Sequence, residues 1–314
     1  MKMVQVLPAA RRYGIAVVTV ALFVFLAATT DGFLSQANFR NILDQQSALL
    51  IAASFATITM IAGGFDISAA SVYVVAPLFA LQVENSTGNV ALAVAVGVAV
   101  GLVVGVANGL VVTALKVNSF IATLATSFMV FGAGFLISDR SVLRASTDAY
   151  PAIARTRWWG ITTGAWIAAA VVAVAWILLS RSRFGRHVYA AGGNAEAARL
   201  AGVPVARVKT ICFAMSGAAA GLAGVVSSSR SLSALPSDDF SFVFGVIAAV
   251  VVGGTSIAGG EGAVWRTIAG AFFIALMING FNLHQIDPIW QRVIQGAVIL
   301  AAVSIDSWTQ RRSQ

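Results

Sequence analysis

From Val90 to Leu115 the chain carries no charged residue. A membrane span needs about 20 consecutive apolar residues, and this run is longer. Nine further apolar runs fall at 14–30, 46–62, 70–83, 119–137, 162–180, 211–229, 241–254, 266–283 and 289–305. Spread over 314 residues, they leave no room for a separate soluble domain of ~100 residues. Only 10% of the residues are charged, against about 25% in soluble domains. The expected fold is therefore all-α and integral to the membrane, with residues 1–314 as one polytopic domain of about ten transmembrane helices. The runs at 70–83 and 241–254 are short and glycine-containing, which suits partial spans. The run at 14–30 follows a basic tail and has the outline of a signal peptide. With so many spans downstream, a retained first span is expected.

Cytoplasmic loops of membrane proteins are enriched in Lys and Arg. With the N-terminus inside and alternating spans, Lys2, Arg11, Arg12, Lys116, the six bases of 181–210, Arg266, Arg311 and Arg312 lie inside. Seven bases lie outside: Arg40, Arg140, Arg144, Arg155, Arg157, Arg230 and Arg292. Thirteen against seven places both termini in the cytoplasm. The net charge of +8 then reflects topology rather than a nucleic-acid partner. The loop 138–161 strains this assignment with four outside arginines; its Trp158–Trp159 pair suits a membrane interface, the plainer alternative being a surface helix resting on the headgroups.

The segment 181–210 is the one long polar interval in the second half of the chain. It holds Arg181, Arg183, Arg186, Glu196, Arg199, Arg207 and Lys209. Each charge at a bilayer centre costs about 2.5–3.5 kcal/mol, roughly 20 kcal/mol for them all, so the segment lies outside the hydrocarbon. Within it the spacing predicts a short helix. Asn194 is an N-cap, Glu196 sits in the first turn, Ala195 to Ala201 favour helix, Gly202 fits C′, and Pro204 stops the run. Two turns of helix are marginal alone in water, so this one must pack on something.

Inside the apolar runs a few residues stand out. Gly97, Gly101, Gly105 and Gly109 recur every fourth residue and give one helix face without side chains. That face serves close helix packing or lines a pathway. Asp66, in Gly63-Gly64-Phe65-Asp66-Ile67-Ser68, sits between two apolar runs. It, or Ser68, caps the next span, or it belongs to a pathway or gate. Asn108, Asn118, Asn279 and Asn282 are amides within or at the ends of spans, fit for interhelical hydrogen bonds or for a polar solute. Residues 253–262 hold five glycines and read as a tight turn. Their Gly-Gly-x-x-Ile start echoes Gly63 to Ile67, as an internal duplication would.

Much chemistry is excluded. None of Lys2, Lys116 and Lys209 follows a glycine, so there is no Walker A loop. Cys212 is the single cysteine, and His187 and His284 are the only histidines, so a Cys- or His-built metal centre is ruled out. No hydrolase or zinc-protease motif occurs. With few acids or histidines in the spans, energy for uphill transport must come from another chain. Otherwise the protein is a stand-alone passive channel or facilitator.

Several ordered motifs are more specific. Gly185-Arg186-His187-Val188-Tyr189-Ala190-Ala191-Gly192-Gly193-Asn194, then Glu196 to Val203 and Arg207-Val208-Lys209, resemble the cytoplasmic loop of ribose-type monosaccharide ABC importer permeases. Ile247 to Ser256, Gly259-Gly260-x-Gly262, Asn279 to Leu283, Ile305-Asp306, Gly63 to Ser68 and Asn118 to Leu124 are similar to further patterns of that family. The resemblance implies a permease subunit that catalyses no reaction and carries a monosaccharide across the bacterial inner membrane. Its implied partners are a second permease subunit, cytoplasmic ATPases that hold ATP and Mg, and an extracytoplasmic sugar-binding protein. Gly192, Gly193, Asn194, Glu196, Ala197, Ala198, Arg199 and Gly202 would form the coupling helix that enters the ATPase. Five residues at three places depart from the family pattern. Val243 and Gly245 stand where acids are usual, Asn118 replaces a proline, and Ala69-Ala70 follow Ser68 in place of Val-Gly.

Overall fold

The computed structural model describes residues 3–311 and is helical almost throughout. The long helices are α1 (Met3–Thr29), α2 (Gln36–Ile61), α3 (Ala69–Thr87), α4 (Val90–Ala114), α5 (Ser119–Ile137), α7 (Thr163–Arg181), α10 (Val205–Ser231), α11 (Ser241–Val252), α12 (Val264–Leu283) and α13 (Pro288–Arg311). Each of the apolar runs falls on one of them. Five, namely α4, α5, α7, α10 and α12, are long and apolar enough to cross a membrane. Helix α11 has 12 residues, about 18 Å at 1.5 Å per residue, and reaches only part-way. Lys2 and Arg312, counted above for orientation, lie outside the described residues.

Helix starts follow local chemistry. Ser35, Asn89, Asn118, Thr162, Ser182 and Asn194 each accept a backbone N–H of the first turn that follows. The ends of α2 and α11 share one cap. Gly63 and Gly254 have φ of +75° and +80° and bond back three residues, and the next residue bonds back five, a Schellman arrangement. The structural match pairs Gly63 with Gly254, one residue off the echo read from the sequence.

The connections gather at two ends. At one end, the 62–68 segment meets the N-terminus of α5, the end of α8 (Arg183–Gly193) and the 253–263 loop. At the other, β1 (Leu143–Arg144) pairs antiparallel with β4 (Ser233–Ala234), Thr30 bonds His284 at 3.0 Å, and Arg157 lies 3.9 Å from Asp44. The two-residue strands are absent from the all-α expectation. The surface-helix alternative for 138–161 is also corrected. Only α6 (Ala152–Arg155) is helical there, while β2 (Arg157–Trp158) and β3 (Ile161–Thr162) form a hairpin. Its two loop residues, Trp159 and Gly160, have φ of +53° and +81°, the geometry that matches strand twist in a two-residue turn.

The α4–α10 contact is the backbone of the core. A Cβ on Gly101 would stand 2.1 Å from the carbonyl oxygen of Gly217, and one on Gly105 2.2 Å from that of Phe213. Gly97 faces Val225 and Gly109 faces Thr210 in the same seam. The expected glycine face is therefore a packing face turned onto α10. Gly224 of α10 extends the close approach to α3, facing the Tyr73 carbonyl. That carbonyl lies four residues before Pro77, whose ring nitrogen has no hydrogen to donate.

At the far end, Glu84 of α3 is fully buried and accepts the amides of Ser146 and Thr147 at 3.1 and 2.7 Å. It pins the loop that precedes α6. Glu84→Ala would remove two hydrogen bonds to a charged group, at about 1.5–3 kcal/mol each. Protease cleavage within 143–150 is expected to speed up at least tenfold in the variant, and an unchanged rate would refute the anchor.

Candidate coupling helix and buried polar network

Helix α9 (Ala195–Leu200) forms where the caps place it. The Asn194 side chain accepts the Ala197 amide at 2.9 Å, Gly202 has φ +84°, and Val203 N–H reaches the Ala198 carbonyl. Ala198 is buried beneath the helix, so it holds α9 down rather than forming its surface. The exposed face carries Glu196, Ala197, Arg199 and Leu200. Arg199 grips Glu196 with two hydrogen bonds of 2.6 and 3.2 Å, and this guanidinium holds the Glu196 carboxyl below its usual range. Leu200, 77% exposed at the end of α9, was not among the residues expected. A leucine is a costly residue to leave in water, and this alone could have marked it.

Gly192 and Gly193 do not lie in this helix. They close α8, an amphipathic helix that the polar reading of 181–210 did not anticipate. Its buried face is Gly185, Val188 and Ala191, spaced every third residue among the arginines. Tyr189 of α8 donates its hydroxyl to the Gly262 carbonyl at 2.8 Å.

Above this end, Asp66 heads a chain of hydrogen bonds through four helices. Ser68 donates to Asp66 Oδ1 at 2.6 Å, and Ser216 of α10 donates to Oδ2 at 2.7 Å. Asn108 of α4 donates to Ser68 Oγ at 2.8 Å, and Thr126 of α5 donates to Asn108 Oδ1 at 2.7 Å. Ser68 makes no side-chain cap on α3; its hydroxyl is spent on Asp66, while the amides of Ser68 and Ala69 bear on that carboxylate. The Asp66 carboxylate has no ion-pair partner among the described residues. It lines a crevice of ≈ 10 Å³ with Met60, Phe65, Val243 and Ile247, room for about one water. Val243, Val246 and Ile247 make this wall apolar.

The irregular backbone of 62–68 is satisfied by α5. Phe65 N–H donates to Ser119 Oγ and Ile67 N–H to Thr123 Oγ1, both at 3.0 Å. Buried backbone groups outside regular helices need partners, and here Ser119 and Thr123 of the Asn118 to Leu124 motif supply them. Asn118 itself caps α5, accepting the amides of Phe120 and Ile121.

The other two amides stand apart. Asn279 and Asn38 exchange hydrogen bonds of 2.7 and 3.0 Å. Asn282 accepts from Gln291 at 3.0 Å. Both sit near the end opposite α9, beside His284. The structure therefore joins Asp66 to Asn108, puts Asn118 at the start of the helix that supports the Asp66 segment, and leaves Asn279 and Asn282 at the opposite end.

Comparison with known proteins decides the family. Residues 38–303 match the family model described as "Branched-chain amino acid transport system / permease component". The chain belongs to this permease family. It is similar to the L-arabinose transport system permease protein of Escherichia coli (strain K12), 37% identical over 300 residues, 96% of this chain and 92% of the relative. The ribose import permease protein of the same strain is 32% identical over 298 residues, 93% of each. That of Bacillus subtilis (strain 168) is 35% identical over 287 residues, 91% of this chain and 89% of the relative. No solved structure matches. The permease is thus a multi-pass membrane protein whose relatives are subunits of sugar transport systems.

Proposed function

We propose that this permease is the membrane subunit of an ATP-driven importer for a monosaccharide, with pentoses the first to test. The observation that carries the reading is α9, a capped helix with Glu196, Arg199 and Leu200 exposed on a chain that has no ATP-binding loop of its own. Arabinose and ribose relatives that match nearly end to end support the sugar class. In this reading ten helices span the bacterial inner membrane, both termini and α9 are cytoplasmic, and an ATPase bearing ATP and Mg receives α9. A binding protein delivers the sugar to the opposite end. A second permease subunit, a copy or a close paralogue, covers the half-buried Asp66 and the exposed Phe120 that packs on Phe65, since lipid is a poor neighbour for a carboxylate. Nucleotide-driven closure of the ATPase moves α9 and reorients the spans between outward and inward access. A shift from 1:99 to 99:1 takes about 5.5 kcal/mol.

Glu196→Lys frees Arg199 and reverses the charge on the exposed face, and Leu200→Asp removes its apolar contact. Each is expected to cut co-purification of the cognate ATPase at least tenfold while the permease still inserts. Wild-type recovery of the ATPase with both variants would rule out α9 as the docking element.

A further inference from the structure

Two glycine turns, at 63–64 and 259–260, meet the Gly192–Gly193 end of α8, next to the Asn194 that caps α9. A Cβ on Gly192 would stand 1.7 Å from the Ile61 carbonyl oxygen and 2.7 Å from the Gly260 nitrogen. One on Gly259 would stand 3.0 Å from Gly63 Cα and 3.1 Å from the Gly192 oxygen. Gly260 donates its N–H to Ile61 O at 2.8 Å, bonding the 253–262 loop to the end of α2. Gly63, Gly259 and Gly260 have φ of +75°, +90° and +75°, which bars side chains there on conformational grounds as well. Backbone therefore touches backbone across three elements, and the one side-chain atom near a Cβ on Gly63 is the Lys209 Nζ at 3.6 Å.

The position of this contact is its significance. Asn194, two residues after Gly192, caps α9. Asp66, three residues after Gly63, holds the hydrogen-bonded chain to α3, α4, α5 and α10. A displacement of α9 has a short, stiff route to Asp66 by way of residues 192, 61–63 and 64–66. Side-chain contacts absorb small displacements by changing rotamer; backbone in van der Waals contact cannot.

We propose that Gly192, Gly63 and Gly259 form a rigid joint that transmits movement of α9 to the Asp66 segment, so that Gly192 is a positioning residue for transport and not part of the ATPase-facing surface. The proposal rests on the importer reading above and assigns its transmission element.

The test is Gly192→Ala in the assembled complex with ATPase and binding protein, measuring ATPase recovery, ATP hydrolysis and sugar taken up per ATP. Gly14→Ala, whose Cβ meets no atom within 4 Å, is the size-matched control. The joint predicts normal ATPase recovery and hydrolysis with uptake per ATP at least tenfold lower. Unchanged uptake per ATP would overturn it, and so would loss of ATPase recovery from inserted permease, which would put Gly192 in the docking surface. Should Gly192→Ala fail to insert, Tyr189→Phe decides. It removes only the hydroxyl bonded to Gly262, and the joint requires uptake per ATP to fall several-fold. A wild-type ratio for Tyr189→Phe overturns the joint. If wild-type permease recovers no ATPase, the importer reading fails instead.

Discussion

Gly101→Val is expected to abolish recovery of folded permease. The added Cβ would enter the Gly217 carbonyl, which belongs to the backbone of the facing helix and cannot rotate away. Overpacking a tight core costs about 1–3 kcal/mol when side chains can shift. Here α4 and α10 must separate along the whole seam, so the loss is expected at the top of that range, about 3 kcal/mol or more. Gly132→Ala, which meets nothing within 4 Å, is expected to be neutral. Monodisperse yield and thermal aggregation in detergent read the difference. A folded, stable Gly101→Val protein would contradict the seam.

Asp66→Asn is expected to leave insertion and ATPase recovery intact and to lower uptake at least tenfold. The carboxylate accepts from Ser68 and Ser216. An amide there brings N–H donors against hydroxyls that already donate. Hydrogen bonds to a charged group contribute about 1.5–3 kcal/mol each, roughly ten- to hundredfold in a two-state equilibrium. The ≈ 10 Å³ crevice beside Asp66 is too small for a sugar; in the proposed importer the 62–68 segment would shift between access states, with Asp66 biasing that shift. Full uptake by Asp66→Asn would remove Asp66 from the mechanism.

What the chain reveals before folding depends on the range of the interactions. Helix α9 was legible end to end, because Asn194, Gly202 and Pro204 act within five residues of its ends. The period of the Gly97 to Gly109 stripe made one bare helix face legible, for packing or for a pathway, but not that this face meets α10. Helix α8 was hidden because its arginines dominate the composition and its buried face is built of Gly185, Val188 and Ala191, a weak apolar signal. The Trp158–Trp159 hairpin was missed for a similar reason: two-residue strands have no periodicity, and only Trp159-Gly160 marks the turn. Asp66 and Asn108 each stood out, but their union through Ser68 spans 40 residues of sequence. The meeting of Gly63, Gly192 and Gly259 is still less local. Each glycine reads as an ordinary turn, and only the fold makes them one contact.

The central claim, that α9 harnesses an external ATPase, is tested most directly by pentose uptake into proteoliposomes. The permease would be reconstituted with and without its cognate ATPase, with binding protein and ATP on the appropriate sides. Accumulation above the external concentration is expected only with the ATPase and ATP present, and it should vanish with Glu196→Lys. Rapid equilibration of the sugar by the permease alone, unaffected by ATP or by Glu196→Lys, would mark a passive facilitator and contradict the account.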